Sequence, residues 1–192
     1  MNEWTWFMVA AVVVVLITYA VNSDWLNLKC AEARLDGKQY CVRDTDNLQD
    51  SVELMAKITD NMREMVEYMK RKHGEDERVK LLVSNFRADK VVETLPNSGH
   101  TAYSENKGQK LAFCLRQYKD TTELIDENTL TFVALHELAH LMTASVGHHP
   151  EFWENFKFLL KNAVDHGVYK SVDYRKTPVE YCGMTINDNP LY

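Results

Sequence analysis

With 192 residues, 45% of them apolar and 26% charged, the chain is long enough for one domain with its own core and too short for two comfortable ones. A formal charge of −6 argues against a nucleic-acid surface, which needs a basic face. Scarce glycine and proline exclude long flexible linkers, and the four cysteines (Cys30, Cys41, Cys114, Cys182) form no C-x-x-C pair that would suggest a zinc knuckle.

The first predicted element is apolar. Residues 4–21 read WTWFMVAAVVVVLITYAV, eighteen positions without a charge, close to the roughly 20 that cross a hydrocarbon layer as a helix. Trp4, Trp6, Tyr19 and Trp25 stand at the two ends, where amphipathic rings favour a membrane–water boundary. Met1, Asn2 and Glu3 lack the basic character that opens a signal peptide, and the run has no polar face of the kind a core helix shows. The expectation is a single-pass anchor over residues 1–26 followed by one folded unit over 27–192. Lys29, Arg34, Lys38 and Arg43 follow the run and no basic residue precedes it, which favours a cytosolic domain. Against this, Cys30 and Cys41 flank ARLDGKQY, whose Asp36-Gly37 signals a hairpin, and cysteines on facing strands bridge in an oxidising compartment. These signals point to opposite sides of a membrane, and both the orientation and the bridge stay open.

Next, DTDNLQDSVELMAKITDNMREMVEYMKRK carries Leu48, Val52, Met55, Ile58, Met62, Met65, Val66 and Met69 at three- and four-residue steps, predicting a helix of about seven turns with one apolar stripe. Its methionines read as core residues rather than a binding groove. This helix and the hairpin make up residues 27–73; residues 74–192 are expected to form a catalytic core. Gly74 ends the helix, a shorter helix is expected around Val79–Phe86, and Pro96-Asn97-Ser98-Gly99 marks a turn. HTAYSENKGQKLAFCLR then predicts a hairpin around Asn106-Lys107-Gly108, with Leu111, Phe113 and Leu115 on one face of its second strand. Cys114, on the other face, reads as a packed thiol.

Asp126 or Asn128 can cap a helix running from there to about Ser145. His136 and His140 are four apart and share one face of it, so two imidazoles can take two corners of a tetrahedral metal site. Glu137 lies about 100° round the helix, placed to hydrogen-bond a metal-held water as general base. Leu135, Leu138, Ala139, Leu141 and Met142 make the remaining surface apolar, and buried imidazoles need partners that a metal supplies. Gly147 breaks the helix just before His148 and His149, and EFWENFKFLL starts another helix with Phe152, Phe156, Leu159 and Leu160 at core spacing. His148, His149, Glu151 and Glu154 are all within reach as a third ligand.

The segment GHHPEFWENFKFLL after H-E-x-x-H resembles the G-H-x-x-x-F stretch of the WLM and SprT-like minimal zinc metallopeptidases, with Gly147, His148 and Phe152 in the fixed places. The resemblance spans roughly residues 100–165 and implies His148 as third ligand. It also implies an α+β, zincin-like domain of helices packed on a short antiparallel sheet, with H-E-x-x-H on the active-site helix. The tail YRKTPVEYCGMTI is similar to WLM-like proteins of large DNA viruses, which points to a host or virion membrane for the anchor. Two departures stand out. Seven residues separate His140 from His148, where WLM proteins usually have five, which keeps His149 in competition. Family members that degrade DNA–protein crosslinks are soluble and carry DNA-binding elements, so the repair role is not carried over to this acidic chain.

Residues and resemblance together lead to a zinc ion (Zn2+) held by His136, His140 and His148, Glu137 as base, and a protein or peptide substrate. Tyr181, Tyr174 and His149 are candidate oxyanion donors, with Tyr181 ranked first; Cys182 and His166 read as structural. The rival is a non-catalytic anchored protein whose zinc staples two helices, closed by His149 or Glu154 as a fourth ligand.

Overall fold

The apolar run lies within a twenty-residue helix, α1 (Glu3–Asn22), in a computed structural model that describes residues 2–23 and 27–192. At 1.5 Å per residue the helix measures about 30 Å, the thickness of a bilayer's hydrocarbon core. None of Glu3–Ala20 is buried, and Trp4, Trp6 and Tyr19 are exposed. By length and composition this helix can cross a membrane. Trp25, expected at its far end, lies outside the described residues.

The expected hairpin follows as β1 (Leu28–Glu32) and β2 (Gln39–Arg43), with Cys30 directly opposite Cys41 and joined to it by a disulfide. Asp36 accepts from Lys38 N and from the Tyr40 hydroxyl, and Gly37 supplies the left-handed residue (φ 68°) that the turn requires. Helix α2 (Leu48–His73) then buries Val52, Met55, Ile58, Met62, Met65, Val66 and Met69, so its methionines are core. Helix α3 (Glu77–Asn85) is capped by Asp76, which accepts from Arg78 N.

The main sheet has the order β1-β2-β3-β5-β4, with β3 (Val91–Glu93), β4 (Ala102–Glu105) and β5 (Lys110–Phe113). It is mixed, which corrects the antiparallel expectation: β2 pairs with β3 and β3 with β5 in parallel, while β1–β2 and β4–β5 are antiparallel. Helices α2 and α3 form the long crossover that the parallel β2–β3 pair needs, while β3 reaches its parallel partner β5 through the segment that carries β4. Both faces of β5 and of the residues after it are covered, so Leu111 to Arg116 are all buried. Glu93 of β3 accepts from Arg43 N at 2.7 Å and faces the guanidiniums of Arg43 (3.3 Å) and Arg116 (3.5 Å). A buried carboxylate persists only with such partners.

Helix α4 (Glu127–Leu141) runs through the middle of the molecule against α2 and α5 (Pro150–His166), and eleven of its residues are buried. Of the two cap candidates, Asp126 caps it, accepting from Thr129 N; Asn128 instead holds Lys170 of the tail by two hydrogen bonds. A second, two-stranded sheet, β6 (Val179–Tyr181) and β7 (Met184–Ile186), turns tightly at Cys182-Gly183, both with positive φ.

Candidate metal centre

His136 and His140 leave α4 from one face, as a four-residue step requires. The helix ends at Leu141, earlier than the sequence suggests. Beyond it the Lys107 ammonium takes the carbonyls of Thr143, Ala144 and Ser145 at 2.7, 3.1 and 2.9 Å, and Thr143 Oγ1 donates to Ala139 O. Glu151 fastens the same loop from the other side, accepting from Ala144 N and Ser145 Oγ. Gly147 (φ 93°) then reverses the chain in a conformation that favours glycine. The result folds His148 back over α4.

Three Nε2 atoms converge. That of His148 lies 3.0 Å from His136 Nε2 and 3.2 Å from His140 Nε2, and the three ring centroids are 4.9–5.0 Å apart. Zinc–imidazole bonds of 2.0–2.1 Å in a tetrahedron put neighbouring nitrogens about 3.3 Å apart, so this donor set fits a zinc ion. Phe152, fully buried, touches all three rings: it stacks on His140 at 4.3 Å and meets His136 and His148 edge-on at 4.8 and 4.7 Å. That contact gives a physical reason for an aromatic residue four positions after the third histidine.

Burial, then the charges of its two neighbours, pushes the His136 imidazole down to about 3. His140 is pushed to about 4 by burial, His148 and Lys107. Both rings are therefore neutral at pH 7, the state that offers a lone pair to a metal. Glu137 is 5% exposed, and burial raises its carboxyl to about 8.

Glu137, the three histidines and Tyr181 line one cavity of about 860 Å³. Its walls are the edge strand β4, the 145–148 loop, and the segment from Met184 to Pro190. Tyr181 is buried, its hydroxyl donates to Thr101 O at 3.3 Å, and burial followed by the Glu137 charge raises its pKa. His149 stands at the N-cap of α5 with its ring over Gly147, outside the converging trio. Glu151 is engaged with the loop, and Glu154 interacts with Arg78. Tyr174 packs its ring on Phe132 at 4.9 Å and does not line the cavity. His166 pairs with Glu64 at 2.9 Å and stacks on Tyr68.

Cys114 is not a packed thiol: it forms a disulfide with Cys182. The tail is clipped along the chain after β5 by Cys182 N to Arg116 O and Gly183 N to Gln117 O, which brings the two sulfurs together across 68 positions of sequence. Sequence reasoning also missed Lys107 as more than a turn residue. Its signal is an unusual run, Asn106-Lys107-Gly108, all with positive φ, and a Cβ on Gly108 would run into the Asn85 carbonyl.

No family model matches the chain. It is 28% identical over 183 residues to the uncharacterized protein R325 of Acanthamoeba polyphaga mimivirus, covering 93% of this chain and 92% of that one. The uncharacterized protein 136R of Invertebrate iridescent virus 6 is 36% identical over 80 residues, 41% of this chain and 44% of the relative. The 042R protein of Invertebrate iridescent virus 3 is 37% identical over 84 residues, 43% and 50% respectively. These relatives are viral. Among solved structures, the chain is similar to Wss1 from Saccharomyces cerevisiae, with a TM-score of 0.49 and 19% identity over 66% of this chain and 88% of that one.

Proposed function

We propose that this chain is a membrane-anchored zinc-dependent metallopeptidase. The observation that carries the reading is the convergence of three imidazole nitrogens beside a buried glutamate, in a cavity flanked by an edge strand. His136, His140 and His148 would hold the zinc, and a water bound with it would have its pKa lowered to about 7 while a carbonyl is polarised. Glu137 Oε would accept a proton from the attacking water as the C–O bond forms, and return it to the nitrogen as the C–N bond breaks. Burial raises this carboxyl to about 8, which makes its ionised form a stronger base than a free carboxylate. Tyr181 is the proposed donor to the developing oxyanion. Among the described residues, strand β4 pairs with β5 alone, so an extended polypeptide can align along its outer edge.

Three converging side chains, with His149, Glu151 and Glu154 directed elsewhere, support an open catalytic site over a closed structural one. Helix α1 supports the anchor, and two disulfides support an oxidising compartment for the domain that follows, against the charge pattern of Lys29 to Arg43. The decisive experiment uses the full chain in detergent. Glu137→Gln is expected to keep one zinc per chain while losing casein cleavage; persisting cleavage would show the assigned base to be wrong.

A further inference from the structure

The cavity extends well beyond the groups that chemistry requires. One turn before His136 and Glu137, Phe132 and Val133 face the same space, and Phe156 of α5 joins them with its ring 5.3 Å from Phe132 and 5.2 Å from His136. Ile186 of β7 contributes from the tail wall. Among the described residues, the Lys, Asp and Glu side chains in this lining are Lys107, Glu137 and Asp188. Lys107 is taken up by three carbonyls, and Asp188 accepts from Arg175 at 2.7 Å. A charged substrate side chain entering between the aromatic floor and Ile186 would lose its hydration and gain little in return. A large apolar one would leave water at a net gain.

We infer that Phe132, Val133, Phe156 and Ile186 form an apolar subsite beside the metal centre. The substrates are therefore extended polypeptides with a leucine, methionine or phenylalanine next to the cleaved bond. This rests on the peptidase reading and narrows it to a substrate class. Apolar pockets discriminate by roughly 10–200-fold for each methylene-scale difference, so a preference of at least about tenfold over aspartate or lysine at that position is expected.

The test is digestion of a proteome-derived peptide library by the full chain in detergent with zinc, with cleavage sites read by mass spectrometry. Enrichment of large apolar residues at one position flanking the cut supports the subsite, as does its loss or inversion towards acidic residues in Ile186→Lys. Ile186 is only half-buried, at the end of the short two-stranded β6–β7 sheet, which suits it to this substitution. Indiscriminate cleavage, or a preference untouched by Ile186→Lys, overturns the subsite and leaves the peptidase reading standing. Should nothing be cut, the peptidase reading falls instead, and fluorescence anisotropy of labelled peptides on Glu137→Gln decides the subsite. A leucine peptide binding at least tenfold tighter than its aspartate counterpart upholds it; equal binding, or none, refutes it.

Discussion

Tyr181 keeps its hydroxyl on the Thr101 carbonyl, within the cavity that Glu137 also lines. Losing one oxyanion donor costs roughly 10²–10³ in kcat in enzymes where this has been measured. Tyr181→Phe is therefore expected to lower kcat by about two orders of magnitude with KM nearly unchanged, whereas a packing role would leave kcat within a few-fold. The histidines make a separate prediction through pH. His136 and His140 are held below their unfolded value of 6.5, so the unfolded chain binds more protons than the folded one and stability is lost as pH falls below 6.5. Each contributes a loss of about 2 kcal/mol between pH 7 and pH 5. Glu137, raised to about 8, acts in the opposite sense over the same window, since the folded state retains its proton. Metal-free Glu137→Gln should thus lose stability more steeply than the metal-free parent between pH 7 and 5, by denaturant midpoints; equal slopes would contradict the shifts. At this scale the sequence is informative where chemistry is local. His136, Glu137 and His140 sit on one helix at a fixed spacing, whereas the choice between His148 and His149 depends on a backbone reversal at Gly147 that spacing does not encode.

Among the elements, the β4–β5 hairpin does more than turn the chain. Through Lys107 it holds the three carbonyls of the loop that carries His148 back to α4. Hydrogen bonds to a charged donor contribute about 1.5–3 kcal/mol each in favourable cases, less when part-exposed. Lys107→Met is expected to lower stability by about 2 kcal/mol and to weaken zinc binding by at least about tenfold, measured by chelator competition. Unchanged affinity would remove Lys107 from the list of positioning residues. Amphipathic helices were readable here because their period is written in adjacent turns: Val52 to Met69 in α2, and Phe152 to Leu160 in α5. The sheet was not. Strand β3 is three residues long with its Glu93 fully buried, and its parallel partners lie on the far side of α2 and in the later hairpin. Likewise, β6 and β7 turn on Cys182-Gly183 rather than on an Asn-Gly or Asp-Gly signal, and Cys114 finds its partner only through that tail.

For the molecule as a whole, α1 stands apart from the packed core: none of Glu3–Ala20 is buried, and the core is built from residues 33–182. Deleting residues 1–23 should leave the thermal midpoint within about 2 °C while removing the need for detergent. A large drop in midpoint would show that the helix packs on the domain instead of on lipid. The core is otherwise organised around α4, and the ring of Phe152 is where its two histidines and the one from the following loop meet. If the proposed zinc binds there, one aromatic plane shared by three imidazoles would couple ion release to loosening of the α4–α5 pair. Stripped of its cation, the protein would show its fastest-exchanging backbone amides around that ring, and reloading would slow them all together.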